Sequence, residues 1–191
     1  MAEARRVREL AFCALFQLDA LGGAGEEELL TARASLEGTV EDARESVEAS
    51  SSGGEEADAG EVFLAGATAA ELDRGLERAA SVWGVRRAAD AELSGLSPGW
   101  PAQRRPAVDR ALLRLGWYEL RETDAPGAAV ISEVVELAKR YSTERSPGFV
   151  NAVLDSVLRA ARGEGGGDVQ GVGVVDGGGG GPEEARGDGA F

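Results

Sequence analysis

Apolar residues recur at intervals of three and four along most of the chain, which is the pattern of one buried face of an α-helix. The first run begins at Val7 and reaches Leu18, and Gly22-Gly23 ends it. No segment alternates between apolar and polar residues long enough to predict a β-strand. The pattern therefore predicts an all-α fold of six helices. The apolar positions of the first two helices run from Val7 to Leu18 and from Val62 to Ala79, and those of the third end at Leu93 and Leu96. The apolar positions of the last three helices run from Val108 to Leu120, from Val130 to Ala138 and from Phe149 to Leu158.

The ends of the later predicted helices are marked by turn and capping residues. The string Ser-Pro-Gly-Trp-Pro at 97–101 stops the third helix, and Asp-Ala-Pro-Gly at 124–127 precedes the fifth. Ser146 followed by Pro147 fits the N-cap and first position of the sixth helix. These signals divide the chain into short, closely connected helices.

The charge of the chain is confined to two segments. The 191 residues carry a formal charge of -14, and 43% of them are hydrophobic, which is enough for a core. Residues 22–60 hold 11 acidic side chains against two arginines, and the tail 163–191 holds six against one. The remaining ranges, 1–21 and 61–162, are neutral, so the charge does not argue against nucleic acid in the body of the protein.

The same two segments are poor in large apolar residues. We expect most of the acidic insert 22–60 to be disordered, with a helix over Leu29 to Val47 as the alternative. The tail 163–191 holds 13 of the 28 glycines and is typical of a flexible low-complexity extension. The predicted organisation is one helical domain over 1–162, interrupted by the insert and followed by the tail.

Composition excludes most familiar catalytic chemistry. The chain has no histidine and one cysteine, which excludes Ser-His-Asp and Cys-His nucleophiles, histidine or multi-cysteine metal sites, and an intramolecular disulfide. Cys13 is expected to be a small buried hydrophobe. Glu133 and Glu136 share a helix face, but this spacing is ordinary for a solvated surface. We therefore predict no enzyme activity, cofactor or metal. No apolar run approaches the roughly 18 residues that span a bilayer, so we expect a cytoplasmic protein.

Arginines gather at the start of the first predicted helix. Cations are unfavourable at this positive end of the helix dipole, so an external anion would account for Arg5, Arg6 and Arg8. Phe12 and Phe16 lie close to the same strip of the helix, and arginine with aromatic rings is typical of single-stranded RNA recognition. The alternatives are a solvated arginine face and two phenylalanines in the core.

Several strings along the chain, in order, are similar to one family. They are Ala-Arg-Arg-Val-Arg-Glu-Leu-Ala at 4–11, Ala-Leu-Phe at 14–16, Asp-Arg-Ala-Leu-Leu-Arg-Leu at 109–115, Tyr-Glu-Leu at 118–120, Asp-Ala-Pro at 124–126, Val-Val-Glu-Leu-Ala-Lys-Arg-Tyr at 134–141 and Phe-Val-Asn-Ala-Val-Leu-Asp at 149–155. Together they resemble the NusB family of transcription antitermination factors. The resemblance covers roughly 4–21 and 61–160 and leaves out the insert and the tail.

The resemblance implies an all-helical fold of two small bundles and a role without catalysis. Members of this family pair with the small-subunit ribosomal protein that acts as NusE. The heterodimer binds boxA RNA of nascent ribosomal RNA transcripts and helps the RNA polymerase complex read through terminators. On matching positions the implied RNA-binding residues are Arg5, Arg6, Arg8, Phe16, Arg145 and Phe149, and the implied partner-binding residue is Asp109.

The chain departs from the family near the last helix and in the insert. Arg145 stands where family members can carry an acid, and Pro147 and Gly148 replace longer polar or basic side chains. The helical spacing of Phe149 with Val153 also suits the core. The insert 22–60 is longer and more acidic than the usual first connection. Two other functions remain open: an RNA-binding subunit related to the N-terminal domain of ribosomal RNA methyltransferases, and a protein-only adaptor held by the insert.

Overall fold

The computed structural model describes residues 2–53, 58–97, 99 and 104–163, and the regular secondary structure within these ranges is helical. The predicted all-α fold is confirmed. The predicted tail lies outside the described residues from 164 onward, as do Pro98, Trp100 and Pro101 of the predicted stop. The helices are α1 (Ala2–Leu21), α2 (Glu26–Gly53), α3 (Ala59–Ala65), α4 (Ala69–Leu96), α5 (Ala107–Glu122), α6 (Gly127–Tyr141) and α7 (Ser146–Ala161).

Helices α1 to α4 form one group, and α5 to α7 form a second group packed against α1 and α4. Helix α1 is buried on more than one side, and Leu10, Leu15 and Leu18 are at most 1% exposed. It packs most extensively on α4. A Cβ atom at Gly75 of α4 would lie 2.8 Å from the Leu10 Cβ atom, so the two helices approach closely because this position has no side chain.

The acidic insert differs from the prediction. Residues 26–53 form the long helix α2, so the expected disorder is wrong for them and the alternative of a helix is correct. Its buried stripe is Ala32, Leu36, Val40 and Ala43, none more than 6% exposed, at the spacing of one helix face. Helix α2 contacts α1, α3 and α4, and most of its glutamates are exposed. Composition averaged over all faces of the helix had hidden this stripe.

The boundaries between 58 and 96 also differ from the prediction. The second and third predicted helices form one continuous helix, α4, and the break lies earlier, between Ala65 and Ala69. Thr68 caps α4 because its side chain accepts a hydrogen bond from the Glu71 backbone N–H, while the Glu71 carboxylate accepts one from the Thr68 backbone N–H. This capping box starts a new helix where periodicity alone predicted continuation.

Two properties of the described residues bear on function. None of these helices is long and apolar enough to cross a membrane. Within the same part of the chain, no group of three or more Cys, Asp or Glu side chains has an arrangement suited to a metal ion.

Candidate nucleic-acid interface

The three arginines at the start of α1 lie at three different depths, and each contacts a carboxylate from another helix. Arg5 Nε donates to Glu133 of α6 at 2.8 Å, and the Arg5 side chain is 51% exposed. Arg6 Nε donates to Glu71 of α4 at 2.9 Å and is 22% exposed. Arg8 Nε donates to a Glu119 oxygen of α5 at 2.8 Å and is 11% exposed. Arg5 is therefore the most accessible of the three.

These carboxylates account for arginines at the positive end of a helix dipole. Glu119 is 2% exposed and also accepts a hydrogen bond from Arg78 of α4 at 2.7 Å. Buried charges in proteins are held by such pairs. Carboxylates of the protein thus offset the unfavourable interaction of the arginines with the helix dipole, which we had expected an external anion to offset. The argument for an anion-binding surface therefore depends on how accessible each arginine is.

Arg6 is held by a carboxylate that is itself fixed by the cap of α4. Burial alone would raise the pKa of Glu71, but the Thr68 backbone N–H and the Arg6 guanidinium outweigh burial and lower this pKa below its ordinary value. Glu71 therefore stays ionised at neutral pH. Arg6 is thereby paired with a fixed carboxylate at the N-terminus of α4, and its side chain remains partly exposed.

Beside Arg5 and Arg6 lies an aromatic ring that sequence reasoning had not identified. The Cζ atoms of Arg6 and Arg5 lie 5.4 and 5.8 Å from the centroid of the Phe63 ring on α3, within cation–π distance. In the sequence, Phe63 lies within a predicted helix, and none of its neighbours along the chain indicates a functional role for it. A surface groove of about 430 Å³ passes here between α1, α3 and α6, and its lining includes Arg5, Phe63, Glu133, Lys139 and Arg140.

The other candidate residues are buried to different degrees. Phe12 is 3% exposed, and its ring lies 5.1 Å from that of Tyr141, so the core alternative applies to it. Phe16 and Phe149 are partly buried and pack against the core with part of each ring exposed. Arg145 is exposed and precedes the first residue of α7.

Asp109 joins three helices. The residue is 4% exposed, and its carboxylate accepts hydrogen bonds from the Ser142 hydroxyl at 2.6 Å and the Ser146 hydroxyl at 3.0 Å. Ser146 was predicted as an N-cap, but its hydroxyl donates to Asp109 because α5 packs against the start of α7. Asp109 thereby positions the short connection that carries Arg145.

Cys13 has the environment of an inert thiol. Burial, with a smaller contribution from the Glu9 carboxylate, raises the pKa of Cys13 to about 12. The thiolate is the reactive form of cysteine, so this group is neutral and unreactive at physiological pH.

The chain is similar to known proteins of one family. A family model described as the NusB family matches residues 71–159. The transcription antitermination protein NusB of Symbiobacterium thermophilum is 36% identical over 166 residues, which cover 86% of this chain and 94% of the relative. Among solved structures, T. maritima NusB aligns with a TM-score of 0.57 and 27% identity over 81% of this chain and 89% of that one.

A further solved structure extends the likeness of fold. A chain in the crystal structure of the antitermination factors NusB and NusE in complex with dsRNA aligns with a TM-score of 0.58 and 20% identity, over 84% of this chain and 98% of that one. The match to the Symbiobacterium protein extends over nearly the whole of both chains. This chain therefore belongs to the NusB family of transcription antitermination proteins.

Proposed function

We propose that this protein binds boxA-type RNA of nascent ribosomal transcripts together with the small-subunit ribosomal protein that acts as NusE, and so helps RNA polymerase read through terminators. The single observation that carries the proposal is the accessible arginine end of α1 on a chain of this family. The role is one of binding rather than catalysis. Because nascent bacterial transcripts are cytoplasmic, we expect the protein to act in the cytoplasm.

The accessible arginines at the start of α1 bind RNA phosphates in place of the carboxylates that they contact in the free protein. Arg5 is half exposed, and its bond to Glu133 is a surface pair of small net energy, so an RNA phosphate competes with Glu133 for the guanidinium. Arg6 is partly exposed and contacts the same strand. Arg8 stabilises this surface without contacting the RNA, because contact with a phosphate would require Arg8 to leave the buried Glu119.

The start of α7 forms the second part of the proposed RNA surface. Arg145 is exposed, and Phe16 and Phe149 are partly buried aromatic residues of the kind that stacks on unpaired bases. Asp109 contributes to partner binding through the connection that it orders, since its own carboxylate is occupied by Ser142 and Ser146.

The experiment compares boxA RNA with a scrambled RNA of the same composition, with and without the ribosomal partner. We expect tighter binding to boxA, strengthened by the partner. The double variant Arg5→Ala/Arg6→Ala should weaken binding and reduce the slope of log K against log salt by about 0.7 for each phosphate that is no longer neutralised. Arg159→Ala/Arg162→Ala is the matched control, because it also removes two charges, from exposed arginines at the far end of α7. Equal affinity for both RNAs would contradict sequence-specific recognition.

A further inference from the structure

We propose that Phe63 stacks on an unpaired base of the bound RNA, which makes α3 a third element of the RNA surface. This inference deepens the proposed function and depends on it. The residue follows the acidic helix α2 in the chain and lies outside the set of site residues that sequence reasoning had selected.

Phe63 is a half-buried aromatic residue that does not belong to the core. Among the described residues, the partly buried apolar side chains that pack on the core include Phe16, Tyr141 and Phe149 but not Phe63. The next residue, Leu64, is 7% exposed and anchors α3 to the core. The Phe63 ring is therefore not used to fill the core, and it lies at a charged surface where it can contact a ligand.

The surroundings of the ring match the two components of a nucleotide. Arg5 and Arg6 approach the ring to within 5.8 Å, so one short stretch of surface offers guanidinium groups for phosphates and an aromatic ring for a base. Unpaired RNA bases expose their faces for stacking on aromatic side chains, whereas bases inside a duplex do not.

The backbone of α3, which carries the ring, is held in place before any RNA binds. Arg44 of α2 donates to the backbone carbonyl oxygens of Ala65 at 3.1 Å and Ala67 at 2.9 Å, just after Phe63. The Asp58 carboxylate accepts a hydrogen bond from the Gly60 backbone N–H at 2.8 Å at the start of α3. Both ends of this short helix are therefore fixed, and stacking on Phe63 requires little further ordering of the protein.

The test uses the full chain with its ribosomal partner and boxA RNA. Phe63→Leu keeps an apolar side chain but removes the ring, and we expect it to weaken binding by roughly five- to 100-fold with an unchanged salt dependence. Phe63→Trp keeps a ring, and we expect near-normal affinity with added tryptophan fluorescence that RNA binding quenches. Val62→Ala is the matched control, because Val62 is 51% exposed on the same helix.

The outcomes separate this inference from the proposed function. If the unchanged protein does not distinguish boxA from scrambled RNA, the proposed function fails. If it does so and Phe63→Leu binds equally well, the stacking of Phe63 alone is overturned. A parallel loss of affinity and of salt dependence in Phe63→Leu would show that the ring only positions the arginines. If the leucine variant does not fold, the fluorescence of the Phe63→Trp variant decides the matter, because a signal that RNA binding leaves unquenched excludes stacking.

Discussion

Arg5 and Arg8 lie one turn apart on α1 and carry the same charge, yet their surroundings assign them different tasks. Arg8 contacts a carboxylate that is 2% exposed, whereas Arg5 contacts one at the surface. Removing Arg8 leaves Glu119 buried with only Arg78, so we expect Arg8→Ala to lower the free energy of unfolding by about 2–4 kcal/mol. Arg5→Ala should change it by about 0.5 kcal/mol or less. Denaturant unfolding of both variants measures the difference, and equal losses would contradict it.

Glu133 competes with RNA for Arg5. Glu133→Gln keeps the shape of the side chain but removes the charge, so we expect boxA RNA to bind about two- to fivefold more tightly at low salt. Asp155→Asn is the matched control, because Asp155 is a surface carboxylate on α7 that pairs with Arg159 instead. Titrations of both variants at two salt concentrations check this. A gain of the same size in both would mean that net charge, not release of Arg5, is responsible.

Sequence reasoning identified the cluster of arginines at the start of α1 but not how deeply each of them is buried. The first turns of α1 were identifiable because three arginines in four positions stand out locally. Their partners were not, because Glu119 is 111 residues from Arg8 along the chain and Glu133 is 128 from Arg5. Phe63 was missed for the same reason, since only packing of α3 beside α1 gives the ring its charged neighbours.

The acidic insert shows how a helix can form in a segment whose composition predicts disorder. A stripe of two alanines, a leucine and a valine is a small apolar area, but packing against α1 and α4 adds tertiary stabilisation to a marginal helix. Arg33 of α2 also pairs with Asp73 of α4. Amphipathic runs with larger residues, as in α1 and α5, were predicted correctly because their apolar faces are wide.

The buried stripe of α2 predicts a sharp difference between two leucines of the same helix. Leu36 is 1% exposed, so Leu36→Ala should lower the free energy of unfolding by about 2–4 kcal/mol through lost burial and the cavity left behind. Leu30 is 61% exposed, so Leu30→Ala should change it by about 0.5 kcal/mol or less. Thermal or denaturant unfolding measures both. If Leu36→Ala proved as harmless as Leu30→Ala, α2 would not be packed on the body of the protein.

For the whole molecule, the structure changes how the charge of -14 should be tested. Deleting 22–60 would remove both the acidic side chains and the buried stripe of α2, so any change in RNA binding would mix charge with lost packing. Substituting exposed acids on α2 avoids this. Glu41, Asp42 and Glu45 are exposed and lie outside the stripe, and only Glu41 has a described ion pair, with Arg44 three residues along the same helix.

The triple variant Glu41→Gln/Asp42→Asn/Glu45→Gln should therefore bind RNA more tightly at low salt, because three charges that repel a polyanion are gone. The gain should nearly vanish at 1 M salt, where the Debye length falls to about 3 Å from about 10 Å at 0.1 M. Glu26→Gln/Glu27→Gln/Glu48→Gln is a matched control, with the same charge removed nearer the two ends of the helix. If the gain depends on total charge alone, both variants behave alike. If either variant binds RNA more weakly at every salt concentration, α2 contacts the bound complex directly and its acidic face takes part in recognition.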